Sequence, residues 1–187
     1  RLMDALVLVI DAFSPDADPK GTLRNLIDEM LIADQVVVEN NLEKKRRKVK
    51  LTGDKSEAAD IELLERCLAH LEAEQPLIQL AWTPEQKKAL RGYAFFSMKP
   101  ALIVLNIAEG DIARADQIAQ EYAQWIEPGK RDVAVICGAI EMELVELEGE
   151  ERDIFMQELG ITTAAVDKVV QRSYALLGLI SFLTAGE

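Results

Sequence analysis

The chain has 187 residues, 49 % of them hydrophobic and 29 % charged, and a formal net charge of −12. That length holds one α/β domain with a substantial insertion or two small domains, and the acidic balance makes the surface as a whole repel nucleic acid and acidic membranes. Its apolar runs stop far short of the ~20 residues a membrane helix needs, and the single histidine, His70, excludes a site built on several histidines.

Ala5-Leu6-Val7-Leu8-Val9-Ile10 is a continuous branched apolar run, as expected of a strand buried on both faces. Asp11 follows, read as capping a turn, and Ser14 to Pro19 breaks the chain. From Leu23 to about Lys50 the apolar spacing predicts one long helix; Thr52-Gly53-Asp54 is a turn, and a second helix runs from about Glu57 to Glu74. Ile61, Leu64, Leu68 and Leu71 repeat in the three-four-three spacing of a coiled-coil seam. The two helices should fold back as an antiparallel arm, with His70 a solvated residue on it. Cys67 and Cys137 lack metal-ligand spacing and read as two reduced thiols of a cytosolic protein.

Thr83-Pro84-Glu85-Gln86 opens a shorter helix with a cap, a proline at the first helical position and acid in the first turn. Lys99-Pro100 then leads into Ala101-Leu102-Ile103-Val104-Leu105, a short apolar run ending in Asn106-Ile107-Ala108-Glu109. A helix over Asp111–Trp125 crosses to the strand Val133–Ile136, making a parallel strand-helix-strand unit. Further helices are predicted at about Ala139–Glu146, Glu150–Leu159 and Ala164–Leu177, the acidic stretch Glu141–Glu151 being a solvated face. Trp82 and Trp125 read as packing residues.

Open α/β sheets bind ligands at the carboxyl ends of their strands. Asn106 and Glu109 stand there, in the place of the Asn-Lys-x-Asp tetrad with which G domains read a purine. Asn106 can pair with adenine N7 and its amino group, Ile107 can offer only apolar and backbone contact, and Glu109 is one methylene too long for the two donors of guanine. The site therefore leans away from strict guanine selection. One crossover later, Cys137-Gly138-Ala139 suits close backbone approach to the purine edge. No G-x-x-x-x-G-K-[ST] phosphate loop occurs in the sequence.

The one strong basic cluster is Lys44, Lys45, Arg46, Arg47, Lys48 and Lys50, at the far end of the first arm helix. Such a concentration can touch a nucleic-acid backbone; equally, cations at a helix end complement its dipole in solvent. No aromatic residue interleaves with them, so base stacking is not indicated.

The order of these segments, with Asn-x-x-Glu, the glycine turn, Glu148–Arg152 and Leu176–Glu187 ending in Thr184-Ala185-Gly186-Glu187, resembles the Obg-like ATPase (YchF) subfamily of translation-factor-related P-loop NTPases. The resemblance implies a partial G-domain parallel sheet (residues 1–18 and 92–187) carrying an α-helical coiled-coil insertion (residues 19–91). It implies ATP or GTP as ligand, with Mg²⁺ held by residues outside this chain, hydrolysis in the intact protein, a cytoplasmic setting, and the ribosome or RNA as partner through the basic arm tip. By that match Asn106, Ile107 and Glu109 contact the base, with Cys137-Gly138-Ala139 standing for the family's serine-alanine turn; no catalytic or metal-binding residue carries over. Both ends of the chain read as cut, and the chain alone is expected to bind nucleotide weakly. The competing expectation is a nucleotide-independent helical module binding RNA or ribosomal protein. A receiver-like domain using Asp11 would need acidic neighbours and a strand-end lysine, for which Lys99 and Lys130 are poorly placed.

Overall fold

The computed structural model describes residues 3–53 and 56–180. Asp54 of the expected turn, and the Ser181–Glu187 stretch that contributes to the family resemblance, lie outside them. Two compact units form: Leu23–Lys99 in one, and Asp4–Thr22 with the chain from Pro100 onward in the other.

The second unit is built on a three-stranded parallel sheet of order β1-β2-β3, with β1 at Leu6–Ala12, β2 at Ala101–Ile107 and β3 at Arg131–Ile136. Central β2 buries every residue but Asn106, as its unbroken apolar run requires. β1 departs from expectation. Leu8 and Ile10 are buried, but Val7 and Val9 are 50 % and 66 % exposed, because β1 is an edge strand with one face uncovered among the described residues. A buried-strand composition does not itself guarantee a covering layer.

On the sheet, α7 (Ala165–Leu177) places Leu176 and Val169 against Leu102, Val104 and Ala134. The β2–β3 crossover is not one helix. It breaks into a 3₁₀ stretch Glu109–Arg114, α4 (Ala115–Glu121) and a 3₁₀ turn Ala123–Trp125. None of the three has a side-chain cap, and uncapped ends commonly tighten into 3₁₀ geometry. α5 (Gly138–Glu146) and α6 (Gly149–Glu158) follow close to the expected bounds.

The other unit is helical. α1 spans Pro19–Thr52, its start fixed by Asp18, whose Oδ1 accepts the Gly21 amide at 2.9 Å. α2 (Ala58–Glu72) lays Leu64, Cys67 and Leu71 into a core with Leu31, Val38 and Leu42 of α1. Cys67, read only as a thiol, is a full member of the seam. Leu77, Leu90 and Phe95 complete that core, Leu90 closing α3 (Pro84–Leu90), so the helical pair is part of a small unit rather than a bare hairpin. Trp82 packs there, its Nε1 donating to Leu77 O at 2.8 Å. His70 is half-buried rather than solvated, and its Nε2 has no hydrogen-bond partner among the described residues.

Asp34 is a buried acid of this unit, 2 % exposed at the middle of α1. Its oxygens accept the amides of Phe96 at 2.8 Å and Ser97 at 2.7 Å. Ser97 Oγ in turn accepts the Leu77 amide at 3.3 Å. Burial raises the Asp34 pKa from 3.8, against the opposing pull of the Ser97 and Phe96 hydrogen bonds and of Lys99.

Candidate functional site: the carboxyl edge of the sheet

Parallel registration sets Asp11, Asn106 and Ile136 side by side at the carboxyl ends of β1, β2 and β3. Asp11 is spent locally. Its Oδ1 accepts the Phe13 and Ser14 amides at 2.9 and 3.0 Å, and its Oδ2 accepts the Ser14 hydroxyl at 2.6 Å. These bonds, the Ser14 hydroxyl foremost, lower its pKa. It is a turn-forming residue, as its place before a Ser-Pro sequence suggests.

Asn106 is half-buried, and its Oδ1 accepts the Gly138 amide at 2.8 Å. The bond joins the end of β2 to the first residue of α5. A Cβ on Gly138 would stand 3.2 Å from that same oxygen, which gives the glycine a reason to be there. Asn106 Nδ2 has no partner among the described residues. Cys137 precedes as the N-cap with no side-chain cap bond; it is buried, and both cysteines are free thiols. Ala139 is exposed.

Ile107 is 3 % exposed. Its side chain lines a crevice of about 30 Å³ with Ile112, Ala115, Ile140 and Ile161, room for a water-sized group and not for a base. What Ile107 leaves at the edge is its backbone. Glu109 begins the 3₁₀ stretch and is exposed, with no ion-pair partner among the described residues. Among those residues no group of three His, Cys, Asp or Glu could hold a metal ion, and no helix is long and apolar enough to cross a membrane.

Sequence reading missed Glu141, placed on a solvated acidic face. It is half-buried, and its Oε1 accepts the Ala165 amide at 2.7 Å. A carboxylate from α5 thus satisfies an otherwise unpaired amide at the start of α7. Nothing local signals this, because the partners are far apart in sequence.

The basic cluster divides in two. Lys45 pairs with Glu57 and, at 2.8 Å, with Asp60; Lys48 pairs with Glu57 at 2.6 Å, and Arg46 with Glu65 at 2.7 Å. Hydrogen bonds that Lys45 donates to Asp60 and Glu57 push its pKa upward. Lys44, Arg47 and Lys50 are exposed and make no ion pair among the described residues.

No family model matches the chain. The Bacillus subtilis (strain 168) protein named Ribosome-binding ATPase YchF is 32 % identical over 197 residues, covering 100 % of this chain and 54 % of the relative. Its Escherichia coli O157:H7 namesake is 32 % identical over 173 residues, 92 % of this chain and 47 % of the relative. The chain is a homologue of the YchF and Obg-like ATPases. Obg-like ATPase 1 of Caenorhabditis elegans extends the relationship at 27 % identity, over 98 % of this chain and 49 % of its own length. The solved structure of the Schizosaccharomyces pombe YchF GTPase matches with a TM-score of 0.82 at 23 % identity, covering 98 % of this chain and 53 % of that one. The α/β sheet with its helical insertion is therefore the YchF fold. The chain spans about half the length of the curated YchF relatives it matches.

Proposed function

We propose that this chain supplies the base-reading edge of an ATP/GTP site and a ribosome-directed helical arm to a cytoplasmic YchF-type nucleotide hydrolase. The Asn106–Gly138 hydrogen bond carries the first half of this reading. It ties the tetrad to the glycine turn, so that two segments from different crossovers present one edge. Oδ1 is engaged, and Nδ2 is left to donate. Purine N7 accepts in adenine and guanine alike, so Asn106 selects a purine and not one base. Discrimination falls to Glu109 and to backbone groups at Ile107, Gly138 and Ala139. The Glu109 carboxylate accepts hydrogen bonds only, and its extra methylene sets it off the spot where guanine's paired donors would lie.

ATP or GTP would bring its own phosphates and Mg²⁺, for which the described residues offer no carboxylate cluster and the sequence no phosphate loop. The names of the relatives, ATPase, GTPase and ribosome-binding, support hydrolysis and a ribosomal partner.

Nuclear magnetic resonance of the chain with adenosine and guanosine at about millimolar concentration tests the base edge. We expect shifts at the Asn106 side-chain amide and at the Gly138 and Ala139 amides, and their loss in Asn106→Asp, which keeps the acceptor and removes the donor. Shifts that avoid these positions sink the reading. Glu109→Asp should move the preference towards guanosine, and an unchanged preference removes Glu109 from base selection.

A further inference from the structure

We propose that Glu141 is a positioning residue for the purine edge, holding the Gly138–Ala139 turn in place through its bond to the start of α7. The inference rests on the reading of that edge as a purine site and names a residue that shapes it without touching the base.

Glu141 lies nearly one turn along α5 from Gly138, an axial rise of about 4.5 Å, and its own amide donates to Cys137 O at 3.1 Å. The amides that would face a purine and the carboxylate that reaches α7 therefore share the opening of a nine-residue helix. That opening has no local cap, since Cys137 makes no side-chain cap bond. Two bonds from distant segments hold it instead. Asn106 Oδ1 accepts the Gly138 amide at 2.8 Å, and Glu141 Oε1 accepts the Ala165 amide at 2.7 Å. Ile140 and Leu144 also bury the helix, but apolar contact is non-directional and does not set the angle of the turn.

The far end of the Glu141 bond is anchored. Leu176 and Val169 seat α7 on Leu102, Val104 and Ala134, and Ala164 and Ala165 at its start are buried. Ala164 has no side chain with which to cap that start, so the shielded Ala165 amide depends on Glu141. Ile107 of the tetrad, Glu141 and Ala165 line one crevice of only about 30 Å³. In a space that tight, a shift of α5 against α7 disturbs Ile107 as well. A purine that pulls on the Gly138 and Ala139 amides is consequently felt at Ala165. By reciprocity, whatever frees Ala165 loosens the purine.

The test is a titration of the whole chain with adenosine, followed by nuclear magnetic resonance below the thermal transition of every variant. The variants are Glu141→Gln, Glu141→Ala, Ala165→Pro and the double Glu141→Ala/Ala165→Pro. Proline suits a first helical position, and Ala164 before it already has the extended backbone that proline requires, at φ −61° and ψ 152°. Ala165→Pro therefore deletes the donor while leaving the carboxylate. Each of Glu141→Ala and Ala165→Pro should weaken adenosine binding about two- to tenfold, the worth of one hydrogen bond. The double variant should be no weaker than either single one, because both remove the same bond. Glu141→Gln, which still accepts, should bind nearly as the parent does. Adenosine should also shift the Ala165 amide in the parent and not in Glu141→Ala. If Ala165→Pro does not fold, the contrast between Glu141→Gln and Glu141→Ala decides alone. Parental affinity in Glu141→Ala, with faster hydrogen exchange at the start of α7, overturns the positioning role and leaves a cap; the purine reading then stands. Losses that add in the double variant overturn it too. A parent that shows no adenosine shifts at Asn106, Gly138 and Ala139 refutes the purine reading itself, and the positioning role with it.

Discussion

Asn106 Oδ1 and the Gly138 amide lie 2.8 Å apart, joining segments 32 residues apart in sequence into one edge of the sheet. A net hydrogen bond of this kind contributes about 1 kcal/mol, and leaving a half-buried amide without an acceptor costs about 1–3 kcal/mol. Asn106→Ala should therefore lower stability within that range in a urea titration, while Asn106→Asp, which still accepts, should fall well short of it. Gly138→Ala brings a methyl group to 3.2 Å from the same oxygen, and we expect it to resemble Asn106→Ala. Parental stability in both Asn106→Ala and Gly138→Ala would remove the bond from any structural role.

Asp34 supplies a pH dependence. Its folded-state pKa is raised above 3.8 by burial, so between those two values the folded chain binds a proton that the unfolded chain does not. Its contribution is complete below 3.8 and declines as pH rises through the raised folded-state value. Asparagine cannot titrate there, so the stability difference between the parent and Asp34→Asn isolates the effect. Urea midpoints taken from about pH 3 to pH 7 should show the parent's advantage narrowing as pH rises. A widening gap would reverse the sign and discard the burial argument. A residual deficit should persist in the variant, because the amide nitrogen cannot accept from Phe96 or Ser97.

Glu141 reaches from α5 to the Ala165 amide at 2.7 Å. Helix amides capped by a side chain are worth about 0.5–2 kcal/mol. In Glu141→Ala, hydrogen exchange should quicken in the first turn of α7 before it does in β2 or β3. Glu141→Gln retains an acceptor and should recover much of the protection. Uniform acceleration across the unit would show a global loss of stability instead of a frayed helix start.

Cys67 is fully buried in the helical core, and its thiol pKa is pushed up to about 11, chiefly by burial. Cys67→Ser puts a more polar hydroxyl into an apolar core, at an expected cost of about 1–3 kcal/mol. Cys67→Ala removes that penalty but leaves a small cavity. If the serine variant proves as stable as the parent in thermal denaturation, the site is wetter than its packing indicates.

Much of the architecture is legible in the sequence because its signals are local. The unbroken run Ala101–Leu105 gives the central strand, the Thr83–Gln86 pattern forms its capping box, and the last three helices lie within a few residues of their apolar spacing. What sequence conceals is what comes from far away. Val9 looks like Leu8 in composition, yet only the absence of a covering layer among the described residues leaves it exposed. Lys45 and Arg47 are two links apart and chemically alike, and only the position of α2 divides them. The Asn106 side chain is recognisable by its place after an apolar run, but the pairing that uses its oxygen depends on Gly138, beyond a full crossover.

The two thiols fall in different units, Cys67 beneath the helices and Cys137 at the sheet, and both are buried and free. A reagent that alkylates exposed thiols therefore meets two separate clocks in one polypeptide. Each runs only when its own unit opens. Mass spectrometry of the modified peptides would give the opening rate of the helical unit from one site and that of the sheet from the other, without a label having to be introduced.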